Sequence, residues 1–244
     1  MTVLILGGTA EARRLAEVLT AAGFDVLTSL AGRVSAPALP VGRVRIGGFG
    51  GVDGLTEFLS QHPVDAVVDA THPYAATITS HAAEVCGALG LPLLVVARPA
   101  WPSGGAVSAA SDTEAVEAVR DNGFKRVFLT TGRSGVEVFK DVDAWFLVRA
   151  VTAPHPDTLP SRYQLVLSRG PYRYDDELAL LAEHRIDCLV TKNSGGDMTR
   201  PKLDAAAALG VPVVMVDRPP LPDGVAVVST VDDAVAWVSS LGRT

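Results

Sequence analysis

Gly90-Leu-Pro-Leu-Leu-Val-Val-Ala-Arg-Pro-Ala-Trp-Pro102 returns in edited form as Gly210-Val-Pro-Val-Val-Met-Val-Asp-Arg-Pro-Pro-Leu-Pro222, displaced by 120 residues (210 − 90) in a chain of 244. Upstream, Leu59-Ser-Gln-His-Pro-Val-Asp-Ala-Val-Val68 matches Leu181-Ala-Glu-His-Arg-Ile-Asp-Cys-Leu-Val190 at an offset of 122 (181 − 59). Downstream, Ala115, Val116 and Val119 match Ala234, Val235 and Val238 at an offset of 119 (234 − 115). This period is too long for a solenoid repeat, which runs from roughly 20 to 50 residues. It describes one domain built twice. Two similar domains facing each other leave a cleft, the usual seat of a small ligand.

Outward from the repeat, short β-branched apolar runs alternate with helical periodicity. Val3–Leu6, Asp25–Thr28, Val64–Asp69 and Leu93–Ala97 read as strands, with helices over Ala10–Ala22 and Ala75–Leu89. The second half gives strands at Arg126–Thr130, Trp145–Arg149, Leu165–Ser168, Cys188–Thr191 and Val213–Val216, with helices near Asp175–Glu183 and Pro201–Leu209. Ala226–Val228 and a helix over Val231–Leu241 close the chain. Nearly continuous apolar strands are buried on both faces, and β/α alternation implies parallel sheets with right-handed crossovers. The expected fold class is therefore α/β: two similar Rossmann-like, doubly wound parallel-sheet domains from an internal duplication. The Pro/Gly-rich stretches at 99–105 and 218–224 permit an exchange of terminal strands between them. The expected boundaries are 1–102, joined by 223–244 if that exchange occurs, and 103–222.

Composition excludes several functions. Hydrophobic residues make up 48% of the chain, yet no run approaches the ~18 residues of a membrane span. The net charge of −6 without a block of Lys or Arg disfavours nucleic acid as a partner. Met1-Thr-Val-Leu-Ile-Leu-Gly7 has no basic segment and reads as a first strand rather than a signal peptide, so a cytoplasmic location is expected. The two cysteines, Cys86 and Cys188, stand alone in apolar stretches; neither a disulfide nor a metal site is expected.

In doubly wound sheets the loops at the carboxyl ends of strands form the ligand crevice. The first is Gly7-Gly8-Thr9-Ala10-Glu11-Ala12, a variant of the dinucleotide turn with Thr9 and Ala12 at the second and third glycine positions. A helix N-terminus there offers N–H groups to a phosphate; an ordinary glycine-rich turn is the alternative. The second strand runs into Thr28-Ser29-Leu30-Ala31-Gly32-Arg33 without the acid that would hold a ribose 2′-hydroxyl. Arg33 with Ser29 favours a 2′-phosphate, and so NADPH. Gly48, in the loop Gly47–Gly51, and Thr71 complete the expected cofactor contacts, which are Gly7, Gly8, Thr9, Glu11, Ala12, Ser29, Gly32, Arg33, Gly48 and Thr71. In Asp69-Ala-Thr-His-Pro-Tyr-Ala75, Thr71 also suits a helix N-cap, whereas His72 and Tyr74 have no structural reason to stand there. The second half carries Arg133, Arg169, Lys192, Arg200 and Lys202 in or just after its loops. Cations gathered by a net-acidic chain suit a polyanionic small molecule; solvated surface charge is the alternative. No Gly-x-Ser-x-Gly elbow, Walker loop or Tyr-x-x-x-Lys pair is present.

At these residues the chain resembles the precorrin-6A reductase family of cobalamin (vitamin B12) biosynthesis. The segments that carry the likeness are Ile5–Ala12, Ala31–Arg33, Asp69–Ala75, Thr131–Arg133, Ser168–Pro171 and Thr191–Gly196 with Lys202. The resemblance implies NADPH-dependent reduction of one double bond in a polycarboxylate macrocycle, which lies between two Rossmann-like domains. The first half would bind cofactor and the second the macrocycle. Substrate contacts would come from His72, Tyr74, Arg133, Ser168, Arg169, Lys192, Asn193, Ser194, Gly195 and Lys202. The proton that follows the hydride would come from His72, Tyr74, Tyr172 or a bound water. Neighbouring pathway enzymes are the protein partners such a reaction would bring. The alternatives are an NADH-dependent reductase of the cobalt-containing precursor and a nucleotide-sugar-type transferase with paired Rossmann-like domains.

Overall fold

The structure, a computed structural model, describes residues 1–32 and 39–242. Its elements begin β1 (Thr2–Leu6), α1 (Ala10–Ala21), β2 (Asp25–Leu30), β3 (Arg43–Ile46), α2 (Gly51–Gln61), β4 (Ala66–Asp69), α3 (Ala76–Leu89) and β5 (Leu93–Val96). Next come β6 (Val107–Ala109), α4 (Asp112–Asp121), β7 (Arg126–Leu129), β8 (Trp145–Ala150), β9 (Tyr163–Leu167), α5 (Tyr174–Glu183), β10 (Cys188–Lys192), α6 (Pro201–Leu209) and β11 (Val213–Val216). The chain closes with β12 (Ala226–Val228) and α7 (Val231–Leu241). None of the helices described is long and apolar enough to cross a membrane.

Two six-stranded sheets form, ordered β12-β5-β4-β1-β2-β3 and β6-β11-β10-β7-β8-β9, with every pairing parallel. This bears out the two Rossmann-like, doubly wound domains. The terminal strands have changed sides. β6 follows β5 in the chain but pairs with β11, and β12 follows β11 but pairs with β5. One compact unit is accordingly Met1–Pro99 with Pro219–Thr244, and the other is Ala100–Arg218. Both crossings fall in the repeated Arg-Pro segments, where proline interrupts ladder hydrogen bonding and lets the chain leave its sheet.

The duplicated residues prove to be core and cap residues. Ala115 and Val119 on α4, and Ala234 and Val238 on α7, are each 0% exposed. Ser111 caps α4 by accepting from the Glu114 N–H, as Thr230 caps α7 by accepting from the Asp233 N–H. Gly90 and Gly210 end α3 and α6 at φ 66° and 65°, the left-handed terminus that glycine adopts without a Cβ clash. In the first unit, α1 and α7 cover one sheet face through Leu15, Leu19, Ala234 and Val238. On the other face α2 and α3 pack through Leu55, Leu59, Ala82 and Val85. In the second unit α5 and α6 pack on Phe128, Leu147 and Leu189.

One element is not duplicated. After β7, where α1 stands in the first unit, the second has only the short 3₁₀ turns Arg133–Gly135 and Glu137–Phe139. Phe139 fills the space instead, its ring 5.9 Å from that of Phe146. The structure also contains β3, α2, β6 and α4, which periodicity does not announce. β3 is a four-residue edge strand with alternating charge, α2 opens among Gly50, Gly51 and Gly54, and β6 has three residues.

Candidate functional site

Each sheet reverses its winding at one point, between β1 and β4 in the first unit and between β7 and β10 in the second. That switch point is where open α/β sheets bind ligands. In the first unit Gly7 leaves β1 so close to β2 that a Cβ on it would lie 2.8 Å from Thr28 Cγ2. Gly8 takes φ 120° with open space where a side chain would stand. Thr9 caps α1 by accepting from the Ala12 N–H at 3.1 Å and donates to the Ala70 carbonyl at 2.6 Å, tying the β1 loop to the β4 loop. The opening of α1 thus presents N–H groups without intrahelical partners to the crevice, as a phosphate requires. Glu11 would repel an anion there, but both its oxygens lie 2.9 Å from Arg98 Nη1. Burial works to raise the Glu11 pKa; its own backbone N–H and Arg98 outweigh this and lower it. Ala12 is buried in the core, so its contribution is close packing.

At the end of β2, the Ser29 hydroxyl accepts from Arg45 Nη1 at 2.7 Å across the β2–β3 register. Arg45 also donates to the carbonyls of Gly47 at 3.0 Å and Gly48 at 3.2 Å, and its guanidinium lies 4.0 Å from the Phe49 ring centre. Gly32 lies against β3, where a Cβ would come within 3.3 Å of Ile46 Cγ2. Arg33 lies outside the described residues.

Asp69, 2% exposed at the end of β4, organises the next loop. Its Oδ1 accepts from the Thr71 N–H at 2.9 Å and the Thr71 hydroxyl at 2.6 Å, and its Oδ2 accepts from the Thr79 hydroxyl at 2.6 Å. Thr71 is therefore not an N-cap: α3 begins at Ala76 after Ala75, with no side-chain cap, because Asp69 has claimed the threonine. The loop carries His72 and Tyr74 with ring centres 5.7 Å apart, and the Tyr74 N–H donates to His72 Nδ1 at 3.3 Å. Replacing Asp69 by Ala should cost about 1.5–3 kcal/mol, the scale of hydrogen bonds to a charged group whose loss strands buried donors. Urea unfolding checks this; a cost below about 0.5 kcal/mol would mean the loop does not depend on Asp69.

In the second unit the nominated cations diverge. Arg133 and Arg169 are exposed. Lys192 Nζ lies 3.4 Å from Asp112 of α4, and Arg200 pairs with Asp204 at 3.3 Å. Asn193 clamps the chain crossing: its Oδ1 accepts from the Trp101 N–H at 2.9 Å and its Nδ2 donates to the Trp101 carbonyl at 3.1 Å. The Trp101 indole donates to the Gly196 carbonyl, and Arg218 of the other crossing donates to the Asn193 carbonyl at 2.7 Å. Ser194 donates its N–H to the Lys192 carbonyl, tightening a turn in which Gly195 is buried. The Tyr172 hydroxyl donates to the Ser168 carbonyl at 3.1 Å. Lys202 is not at the surface but 4% exposed, beside the buried pair Arg149–Glu177. Among the described residues no cluster of three or more His, Cys, Asp or Glu is placed to hold a metal.

The sequence profile of the family described as precorrin-6x reductase CbiJ/CobK matches residues 2–239. The chain belongs to the precorrin-6x reductase family. A precorrin-6A reductase of Mycobacterium tuberculosis is 63% identical over 239 residues, covering 98% of each chain. That of Rhodococcus erythropolis is 54% identical over 246 residues, covering 99% of this chain and 98% of its own. The solved structure of CobK precorrin-6A reductase superposes with a TM-score of 0.92 at 35% identity, covering 100% of this chain and 98% of that one.

Within this reductase fold, Arg45, Trp101 and Arg149 take part without being among the residues the sequence singles out. Arg45 sits in a strand too short to be read, and its partner Ser29 is set by β-sheet register. Trp101 looks like linker, yet it is 6% exposed and anchored in the second unit. Arg149 offered one clue, a lone cation in the apolar run Trp-Phe-Leu-Val-Arg-Ala of β8, which implies a buried partner.

Proposed function

We propose that the chain is a precorrin-6A reductase of cobalamin biosynthesis. It would bind NADPH at the β1–β4 switch point of its first unit and reduce one double bond of the macrocycle to the dihydro product. The observation that carries this reading is the asymmetry of the duplication. The switch-point strand β1 of the first unit runs into a helix, with Gly8 leaving space above its opening. In the second unit 3₁₀ turns stand after β7 instead, and the two switch-point strands lead to Arg133, in the loop after β7, and to Lys192, the last residue of β10. The residues present fit the cofactor. The N–H groups at Gly8, Thr9 and Ala10 suit a pyrophosphate, and Ser29 with Arg45 suits a ribose 2′-phosphate.

NADPH supplies the hydride; the chain's task is to position the macrocycle and return a proton. His72 is the residue best prepared to donate. Its Nδ1 accepts from the Tyr74 N–H, so the neutral ring carries its proton on Nε2. Tyr172 is committed to the Ser168 carbonyl. The metal-free macrocycle is favoured as substrate. Relatives called precorrin-6A reductase include one at 63% identity, whereas a cobalt-precorrin-6A reductase of Priestia megaterium is 29% identical.

Titrating the protein with NADPH and NADH, followed by nicotinamide fluorescence, tests the reading. NADPH should bind, and Arg45→Ala should weaken it at least ~10-fold while leaving NADH within about threefold, since a charge-assisted bond is worth roughly 1.5–3 kcal/mol. Arg33→Ala should act in the same direction. No response to either nucleotide overturns the reductase reading, and equal losses for both nucleotides overturn the 2′-phosphate assignment.

A further inference from the structure

Lys202 is the second residue of α6, 4% exposed, with Nζ 5.1 Å from the centre of the Trp101 ring. Two charged side chains share its enclosure, Arg149 at the end of β8 and Glu177 on α5. They have already satisfied each other, Glu177 Oε1 and Oε2 lying 2.5 and 2.8 Å from the two Arg149 nitrogens. The Arg149 guanidinium is further covered by the rings of Tyr172 at 3.8 Å and Phe128 at 4.7 Å. The buried cluster therefore carries two cations and one anion. Among the described residues none hydrogen-bonds or forms an ion pair with the Lys202 ammonium. A buried cation without its own anion is costly, and proteins usually avoid one.

Two further features make the place attractive to an anion. Side chains of a helix lean toward its N-terminus, so Lys202 adds its charge to the positive end of α6. The Trp101 ring, fixed by Asn193 and Gly196, gives an apolar wall for whatever carries the anion.

We infer that Lys202 is a proton-linked seat for one carboxylate of the ligand of the second unit. The inference rests on the reading of that unit as the macrocycle-binding half. Burial, and then the neighbouring Arg149, push the Lys202 pKa down to about 7 against the pull of Glu177. Above that pH the unliganded side chain is mostly a neutral amine. A carboxylate arriving beside it restores the ammonium by drawing a proton from solvent, so binding takes up a proton and weakens as pH rises.

Calorimetric titration of the full chain with uroporphyrin III, a stable octacarboxylate tetrapyrrole, tests this at pH 8 in phosphate and in Tris. The difference in heat between buffers reports protons taken up. The wild type should take up close to one proton, and its affinity should fall about fivefold from pH 7 to 8 and about tenfold from pH 8 to 9. Lys202→Met should bind at least ~10-fold more weakly at pH 7, take up no proton and lose the pH dependence. Lys202→Arg should keep its affinity across the range and also take up none, because a guanidinium stays charged. That variant separates the linkage from a loss of packing. Equal heats for the wild type in both buffers, uptake by Lys202→Met equal to the wild type's, or equally tight binding of the octamethyl ester each overturn the inference. If the wild type binds no octacarboxylate at all, the macrocycle-binding role of the second unit falls with it; NADPH titration of the same sample separates that outcome from failure of the reductase reading.

Discussion

Replacing Glu177 by alanine should destabilise the protein by about 3–5 kcal/mol, the scale seen when one partner of a buried ion pair is removed. Glu177 is 2% exposed and Arg149 6%. Without the carboxylate, the guanidinium would remain buried between the rings of Phe128 and Tyr172 beside Lys202, a second cation with no anion. Urea unfolding followed by tryptophan fluorescence measures the loss, and Trp101 and Trp145 both report on the second unit. Adding Arg149→Met to Glu177→Ala should recover most of the stability, because the cost lies in the stranded charge rather than in the lost attraction. A loss near 1 kcal/mol or less, as for an exposed pair, would mean that water reaches the cluster. The consequence extends to the candidate site. Arg149 carries the Tyr172 ring on its face, and Tyr172 ties down Ser168.

Replacing Gly8 by alanine should remove NADPH binding, with an affinity loss of at least ~100-fold, the factor that corresponds to roughly 2.7 kcal/mol. The new methyl would project into the open space before α1, where the pyrophosphate is proposed to lie. The substitution should also cost about 1–3 kcal/mol of stability, because φ 120° is strained for any residue with a Cβ. Gly7→Ala provides the contrast. Its methyl would meet Thr28 Cγ2 at 2.8 Å, so its effect falls on β1–β2 packing. Fluorescence titration with a thermal melt on the same samples separates the two. NADPH affinity within threefold of wild type for Gly8→Ala would place the pyrophosphate elsewhere.

Much of the fold was legible because its signals are local. Buried parallel strands are apolar along their whole length, helices open at Thr9 and Thr230, and glycine ends them at Gly90 and Gly210. Such features occupy consecutive residues and survive duplication, as Ala115 and Ala234 do in equivalent core positions. The loops at the switch points follow from the same pattern, because the glycine turn, Asp69–Tyr74 and the Lys192 loop each stand at the end of an apolar strand. What local pattern could not give is which polar side chain answers which. Thr71 has every property of an N-cap, but the carboxylate of Asp69 lies two residues back and offers a stronger partner. Lys192 and Lys202 look alike as loop cations, yet one pairs with Asp112 and the other is buried without an ion-pair partner among the described residues.

The sequence by itself determined a duplicated, doubly wound α/β chain with a glycine turn in one copy and cations in the other, because period, caps and turns are written in neighbouring residues. Only the tertiary structure decided that the terminal strands change sheets, that Arg45 answers Ser29, and that Arg149, Glu177, Tyr172 and Lys202 share one enclosure. These pairings join residues far apart in the chain. They are selected by burial, where a charge or donor must find the partner that packing brings to it.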